Sequence, residues 1–399
     1  AMTCYGAGVT SPTKGNTFIN NDFSQMYYYG PYMFYQDSCV FQDNVIDGYR
    51  STAANYGAYF YYFSNFDIQR NYIKHVYYSY LYYSNYYNWN TTDNSIFANN
   101  TVISTGTSYA IYGYRMSRIN FWHNSIYGKG SYLIYMPYGT GNDMRNNIFW
   151  YDGNLYALYL FNNGWDAWDY NDYVISGGNA AYINGSVYSS ASALAGWNSN
   201  YNQNNWDLDP GWVDETDDHH LTSKFPDMYG PYVGVDDDID GDARCKLIST
   251  IGPDEQSKVT LPPTANFLTP DTAWIGSPAI VLNSAAPSKT EGSEWYVNGS
   301  LVSDSLHLEY VPTNTGMDTI MLKQFNCSGE DSIVKYVYVS PVLRAPKVDF
   351  SSSATTIYTG ETVRFLDLSA NGATEWSWSA SPNWTYSAFL GIRTRAMYW

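Results

Sequence analysis

One short pattern recurs five times between Phe41 and Phe149, and it restricts the chain to very few folds. Asn44, Asn71, Asn100, Asn124 and Asn147 are each followed two residues on by Ile46, Ile73, Val102, Ile126 and Phe149, and preceded by three residues by Phe41, Ile68, Phe97, Phe121 and Met144. The separations are 27, 29, 24 and 23 residues. That period is too short for a propeller blade and too irregular for a coiled coil, so it marks one turn of a solenoid. Leucine-rich repeats and parallel β-helices both use such a period, but the intervals here are rich in Tyr, Phe, Ser, Asn and Gly, which form strands and turns rather than helices.

Between the asparagines lie alternating runs, Tyr56 to Phe63, Tyr78 to Tyr83, Tyr109 to Tyr114, Tyr132 to Tyr138 and Leu155 to Phe161, each closed by polar turn residues. Two or three short strands per repeat predict an all-β chain led by a right-handed parallel β-helix. In that fold the recurrent apolar positions stack from coil to coil. An asparagine at the same corner of each coil can hydrogen-bond to its copies above and below. Asn44, Asn71, Asn100, Asn124 and Asn147 are therefore read as a structural ladder.

The excess of acid is concentrated in one segment. The formal net charge is −17, which argues against nucleic acid and anionic membrane surfaces as partners. Residues 207–255 carry 14 acids against Lys224, Arg244 and Lys246, whereas residues 1–206 carry 11 acids against 8 bases. Aromatic residues make up 19% of the chain, with 43 tyrosines, against 14% charged residues, a balance that fits an extracellular β-rich protein. The four cysteines contain no C-x-x-C pair and suggest neither a zinc site nor a disulfide framework, leaving a Cys4–Cys39 bridge as the pairing to test. No signal peptide or transmembrane run is evident, and the opening Ala1-Met2-Thr3 reads as a mature product or an internal fragment.

The acidic segment carries the most specific motifs. Asp209-Pro210-Gly211-Trp212-Val213-Asp214, His220-Leu221-Thr222-Ser223 with Pro226, Asp238-Ile239-Asp240-Gly241-Asp242-Ala243-Arg244 and Ile251-Gly252-Pro253-Asp254-Glu255 follow in order. They resemble the C-terminal end of secreted bacterial right-handed (pectate-lyase-like) β-helix proteins, where a D-P-x-F-V-D turn, an H-L-x-x-x-S-P strand, a D-x-D-G-x-x-R loop and an I-G-A-x-E ending occur. Trp212 and Phe225 depart from that pattern, as does the doubled Asp217-Asp218-His219-His220. The resemblance implies a β-helix over 1–255.

From Pro262 the chain resembles the polycystic-kidney-disease (PKD) type of immunoglobulin-like module. The resembling residues are Ala265-Asn266-Phe267, Ile280 to Ser284, Glu294-Trp295-Tyr296-Val297-Asn298-Gly299, Thr319 to Phe325 and Ile333 to Val339. A buried tryptophan on the third strand is what such a β-sandwich needs. The resemblance implies one module over 262–341 and a second over 346–399, built on Val348-Asp349-Phe350, Gly360 to Phe365 and Glu375-Trp376-Ser377-Trp378. The second stops short of the length of the first, an expectation that the natural chain continues.

Candidate chemistry is sparse. Asp43, Asp47 and Asp67 with Arg50, Arg70 and Lys74 form the one collection of carboxylates and cations in the ladder, as a lyase or hydrolase would need. Asp43 and Arg70 each precede a ladder asparagine and are expected to be neighbours on successive coils. Asp217-Asp218 with His219-His220 is similar to the paired Asp and the His of polygalacturonases, whose other motifs are absent. Asp236, Asp238 and Asp240, around the turn-forming Gly241, offer alternating carboxylates for Ca²⁺, the one cofactor considered, although Leu247 stands where an EF-hand has its glutamate. Thr272, Ser305, Thr319 and Ser332 each follow an Asp and precede an apolar residue, which resembles the D-[ST]-[apolar] acceptor of bacterial O-glycosylation. Outward tyrosines with Trp89, Trp122, Trp150, Trp165 and Trp168 suit stacking on sugars or another protein.

The whole arrangement resembles the modular surface proteins that surface-colonising bacteria export, often by the type IX route. That implies an extracellular or cell-surface adhesin whose β-helix meets glycans or surface proteins, with the PKD modules as spacers and the outer-membrane secretion and anchoring machinery as a further partner. No catalytic residues are assigned. A polysaccharide lyase or glycoside hydrolase and a structural stalk or filament subunit are the alternatives.

Overall fold

The computed structural model describes residues 2–8, 11–24, 29–48, 56–76, 78–84, 95–256, 261–285, 290–341, 346–356, 363–369, 376–378, 388–390 and 396–398. The chain divides into two compact units, 1–258 and 259–399.

The first unit is a β-solenoid of about six turns over residues 13–183. Each coil lays down strands on three faces. Tyr32–Asp37, Tyr56–Ser64, Tyr78–Ser84, Tyr109–Tyr114, the first half of Tyr132–Arg145 and the first half of Tyr156–Asp169 build the first face. Val40–Gln42, Asp67–Gln69, Ser95–Ala98, Ile119–Trp122 and the second halves of those long strands build the second. Val45–Asp47, Tyr72–Val76, Thr101–Ser104, Ser125–Gly128, Ile148–Tyr151 and Asp172–Ile175 build the third. Successive coils pair in parallel on every face.

The apolar positions of the repeat are the rungs of the core. Phe41, Ile68, Phe97, Phe121, Met144 and Trp168 stand in register on the second face. Ile46, Ile73, Val102, Ile126, Phe149 and Tyr173 do so on the third. All twelve side chains are buried. Phe97 and Phe121 stack with ring centroids 4.9 Å apart, a contact available only when like residues occupy like positions.

Between these two rungs the backbone turns sharply, and the turn has one solution on every coil. The residue before each ladder asparagine is left-handed, with φ from 52° to 61° at Asn20, Asp43, Arg70, Asn99, His123, Asn146 and Tyr170. Asn and Asp tolerate that region well; Arg, His and Tyr do so at some cost in local strain. The following asparagine then repays the bend. Its Oδ1 accepts both the backbone N–H and the side-chain amide of the asparagine one coil earlier, and its own Nδ2 donates to the next coil. The side-chain links run Asn21 to Asn44 at 2.8 Å, Asn44 to Asn71 at 3.0 Å, Asn71 to Asn100 at 2.9 Å, Asn100 to Asn124 at 3.1 Å, Asn124 to Asn147 at 3.0 Å and Asn147 to Asn171 at 2.9 Å. Asn205 closes the ladder by accepting from the Asn171 N–H at 2.9 Å.

Two features complete the unit. Residues 184–206 close the end of the solenoid: the hairpin Ser186–Tyr188 folds back on Asn179–Ile183, and the short helix Ala191–Ala195, capped by Ser190, buries Ala191 and Leu194 in the core. Trp197 packs on Trp168, and the Tyr201 hydroxyl reaches the Trp165 carbonyl at 2.9 Å. Residues 209–256, within the span the sequence assigned to the β-helix, run along the outside of the solenoid as a strap. Trp212, Leu221, Phe225, Met228 and Ile251 cover Ile103, Tyr127 and Ile148 of the third face, and Val233 and Val235 cover Ala98 and Trp122 of the second. Cys4 and Cys39 are free thiols, so the bridge left open between them does not form; burial pushes the Cys39 thiol up to about 12.

The second unit consists of small sheets. Phe267–Leu268, Ala279–Asn283 and Leu308–Tyr310 form one. Thr272–Trp274, Gly329–Ser340, Gly316–Asn326, Gly292–Val297 and Ser300–Ser303 form another, antiparallel except where Thr272–Trp274 joins Gly329–Ser340 in parallel. The two share a core of Phe267, Val281, Trp295, Leu308, Ile320, Leu322 and Val337, in which the buried Trp295 donates its indole N–H to the Ser305 carbonyl at 2.9 Å. A four-stranded antiparallel sheet, Phe350–Ser352, Arg364–Asp367, Ala388–Leu390 and Ala396–Tyr398, follows. No helix among the described residues is long and apolar enough to cross a membrane, a statement that leaves β-barrels aside.

Candidate functional site

The outer side of the first face is a wall of tyrosine. Alternation along each strand turns every second side chain outward, and the repeat places tyrosine at the same outward position coil after coil. Tyr32, Tyr59, Tyr82, Tyr112, Tyr135, Tyr159 and Tyr182 are consecutive partners in register. Ring centroids lie 4.7 Å apart for Tyr32 and Tyr59, 5.2 Å for Tyr112 and Tyr135, 4.7 Å for Tyr135 and Tyr159 and 4.9 Å for Tyr159 and Tyr182, with near-parallel planes. A second column runs beside it through Tyr109, Tyr132 and Tyr156, at 5.4 and 6.3 Å. Rings of neighbouring columns meet edge to face, as Tyr109 does with Tyr135.

Each such contact contributes about 0.5–1.5 kcal/mol beyond its area, so the wall is stiff. Tyr32, Tyr59, Tyr112, Tyr135, Tyr159 and Tyr182, and Tyr109, Tyr132 and Tyr156 of the second column, are half-buried. A ring stacked between two others turns much of its face to them and its edge away from them. Burial, followed by the neighbouring phenols, raises Tyr135 to about 12 and shifts Tyr32, Tyr112, Tyr132 and Tyr159 the same way, keeping them as neutral donors. Trp122 and Trp150 lie against the strap, and Trp165 and Trp168 are buried, so these four belong to packing and not to the wall. Trp89 and Arg50 lie outside the described residues.

The acidic strap gathers the polar candidates. Asp238 is fully buried: one carboxylate oxygen accepts the N–H groups of Asp240 at 2.9 Å and Asp242 at 2.8 Å, and the other accepts that of Glu255 at 3.0 Å. Arg244 is buried too. It donates to the carbonyls of Thr250 at 3.1 Å, Gly252 at 2.9 Å and Pro253 at 2.9 Å, to Glu255 Oε2 at 2.9 Å and to Asn99 Oδ1 at 2.7 Å. Burial raises Glu255 to about 7, against the opposing charge of Arg244. Gly252 completes the motif, since at φ +84 a Cβ would stand 2.6 Å from Ile148 Cδ1. The D-x-D-G-x-x-R and I-G segments thus form one knot that ties the strap to the Asn99 corner.

Two of the three carboxylates read as cation ligands, Asp238 and Asp240, lie together in the structure. Asp236 pairs with Lys246 at 2.8 Å and accepts from Tyr232, whereas Asp238 and Asp240 converge with Asp254, whose carboxylate also accepts the Leu221 N–H. His220 bridges Asp218 and Asp240, at 3.2 Å from the latter; burial alone would lower its pKa, but the hydrogen bond to Asp218 and the charges of Asp240, Asp218 and Asp254 raise it. His219 lies the other way, buried and stacked 3.7 Å from Trp212 with its ring between Ser125 Oγ at 2.7 Å and the Glu215 carbonyl at 3.0 Å.

The described members of the ladder's charged collection are each engaged. Arg70 grips Asp43 with two hydrogen bonds of 2.7 and 3.0 Å, as their shared position before the ladder asparagine predicts. Asp47 meets His75 at 2.9 Å, Lys74 meets Asp217 at 2.6 Å, and Asp67 accepts from Gln42 and Gln69. In the second unit Ser305 and Ser332 are exposed, while Thr272 and Thr319 are half-buried on strands.

No known protein family matches this chain, and no curated protein matches it. The in-register columns were legible only as tyrosine-rich runs; the signal that would have revealed them is a Tyr twelve residues before the ladder asparagine, at Tyr32 and Asn44, Tyr59 and Asn71, Tyr112 and Asn124, Tyr135 and Asn147, and Tyr159 and Asn171, with Tyr82, eighteen residues before Asn100, as the exception.

Proposed function

We propose that this chain is an extracellular binding protein, an adhesin in which the solenoid holds the tyrosine wall toward glycans or protein partners at a bacterial surface. The in-register tyrosine columns carry this reading. A binding surface made of one residue type at one spacing meets a repeating or extended partner many times, and weak contacts at high effective concentration sum to useful avidity. Among the described residues, the apolar contacts of the strap fall on the second and third faces.

In this reading the solenoid is wound right-handed, the hand that parallel crossovers take in almost every case. The paired sheets around Trp295 act as an immunoglobulin-like, PKD-type spacer, with the sheet from Phe350 onward as a divergent second copy. Export and anchoring then fall to outer-membrane machinery. The lyase or hydrolase alternative would require Asp43 or Asp67 to act on substrate, and both are engaged by neighbouring side chains.

The test is retention of the purified chain on arrays of glycans and surface proteins, compared with a Tyr112→Ser, Tyr135→Ser, Tyr159→Ser variant. Retention lost in the variant supports binding through the wall; equal retention by both proteins overturns it. Polysaccharide turnover abolished by Asp43→Ala or Asp67→Ala would replace it with the enzyme reading.

A further inference from the structure

The tyrosine wall differs from the rest of its unit in charge as well as in shape. Across Tyr29 to Gln36, Tyr56 to Phe63, Tyr78 to Ser84, Tyr109 to Tyr114, Tyr132 to Tyr138, Tyr156 to Phe161 and Asn179 to Ile183 there is no Asp, Glu, Lys, Arg or His. The protein as a whole has a net charge of −17. The second face, by contrast, carries Asp67, Asp143, Arg145, Asp166 and Asp169, and the third lies under the acidic strap. The tyrosine columns themselves carry no charge; only at the end of Tyr32–Asp37 does the face bear an ion pair, Asp37 with Lys14 at 3.2 Å, so the columns cannot hold an acidic polymer by ion pairing, and the negative field around them repels one.

Resting on the binding function proposed above, we infer that the ligand of the wall is an uncharged, extended polysaccharide lying across the coils. The chemistry matches on three counts. Phenol hydroxyls donate to and accept from sugar hydroxyls, exposed ring edges and the partly open faces contact sugar C–H surfaces, and a polymer of one repeating unit meets a surface of one repeating unit. Neither partner loses a charge to desolvation, so the interaction is insensitive to ionic strength.

The experiment measures retention of the full chain on cellulose, mannan, dextran and β-1,3-glucan as neutral polymers, and on polygalacturonate and alginate as acidic ones. Salt is varied from about 0.01 M to about 1 M, which shortens the screening length from about 30 Å to about 3 Å. The expected result is retention on at least one neutral polymer, changed less than about twofold by salt, and reduced roughly tenfold or more when Tyr112, Tyr135 and Tyr159 become serine. Because that triple change removes supporting stacks, Tyr135→Ser alone is measured beside it with circular dichroism as the fold control, and a smaller loss in the same direction is expected.

Retention only on acidic polymers, retention that salt abolishes, or capture only of proteins overturns the neutral-glycan inference and leaves the binding function standing, provided the tyrosine variants are still defective. Light scattering that shows a dimer lost in the same variants makes a second copy the occupant and overturns the inference likewise. No retention on any surface, or retention indifferent to the tyrosines, overturns both.

Discussion

Asn100 reaches Asn124, one coil away, twice: its side-chain Nδ2 lies 3.1 Å and its backbone N 3.0 Å from the same Oδ1. Asn124 in turn donates to the Phe97 carbonyl at 2.9 Å and to Asn147 at 3.0 Å, so one buried side chain serves four backbone and side-chain groups. Asn124→Ala leaves several of those groups unpaired without water. At about 1–3 kcal/mol for each buried group left unsatisfied, the loss should be on the order of 3 kcal/mol or more. Asn21→Ala, at the more exposed first rung, should lose clearly less. Urea midpoints compare the two, and equal losses would mean that the ladder is not a cooperative stack.

Arg244 predicts how the strap is held. Its guanidinium serves five acceptors in a buried site, and removing one partner of such an arrangement is costed at about 3–5 kcal/mol. Arg244→Ala should therefore open residues 209–256 to protease and to amide exchange while the core rungs from Phe41 to Phe149 stay protected. Arg244→Lys should not rescue it, because an ammonium cannot reproduce the planar fork. Protection of the strap unchanged in either variant would contradict this anchoring role.

The repeat was readable because a solenoid writes its geometry into sequence period. An aromatic or aliphatic residue three before the asparagine and another two after it are the two rungs, and they sit where Phe97 and Val102 sit on every coil. The same pattern extends beyond the five repeats expected: Asn21 lies between Phe18 and Phe23, and Asn171 between Trp168 and Tyr173, and both join the ladder. The strap was legible as motifs but not as position. Nothing in Asp238 or Arg244 says which coil they meet, since the partner corner is Asn99, 145 residues from Arg244. Long-range docking of an irregular segment leaves no periodic trace, whereas the regular coils repeat theirs.

The acidic cluster gives a prediction about calcium. Both oxygens of Asp238 are taken up by the N–H groups of Asp240, Asp242 and Glu255, and Asp240 has His220 beside it. A carboxylate so engaged is a turn anchor, and Ca²⁺ asks for six to eight oxygens. Millimolar Ca²⁺, and equally its removal by chelator, should leave the thermal midpoint unchanged. A rise on adding Ca²⁺ that disappears in Asp240→Ala and Asp254→Ala would establish a metal site among Asp238, Asp240 and Asp254.

His219 sets the response to acid. Burial pushes its pKa down to about 3, outweighing the Glu215 carbonyl and the charges of Asp218 and Asp214, while in the unfolded chain it titrates near 6.5. Between those two values the unfolded state binds a proton that the folded state refuses, so protons favour unfolding. The stability this group contributes is complete above about pH 6.5 and is lost as the pH falls toward 3, at about 1.4 kcal/mol for each unit of difference. His123, also fully buried and held well below its ordinary value by burial and then by the charge of Arg244, adds a loss of the same sign. Asp172 acts oppositely. Burial raises its pKa well above the ordinary value, so its contribution is full below the unfolded carboxylate range and fades as the pH rises through the folded pKa. Glu255, which burial raises to about 7, acts in the same sense as Asp172, so the test is the difference between two proteins: from pH 7 down to pH 4 the wild type should lose unfolding free energy relative to His219→Gln, whatever the variant's stability at pH 7. A variant slope equal to that of the wild type, or a His219 ring proton whose NMR shift titrates near pH 6.5 in the folded protein, would show that the ring between Trp212 and Ser125 is not held neutral.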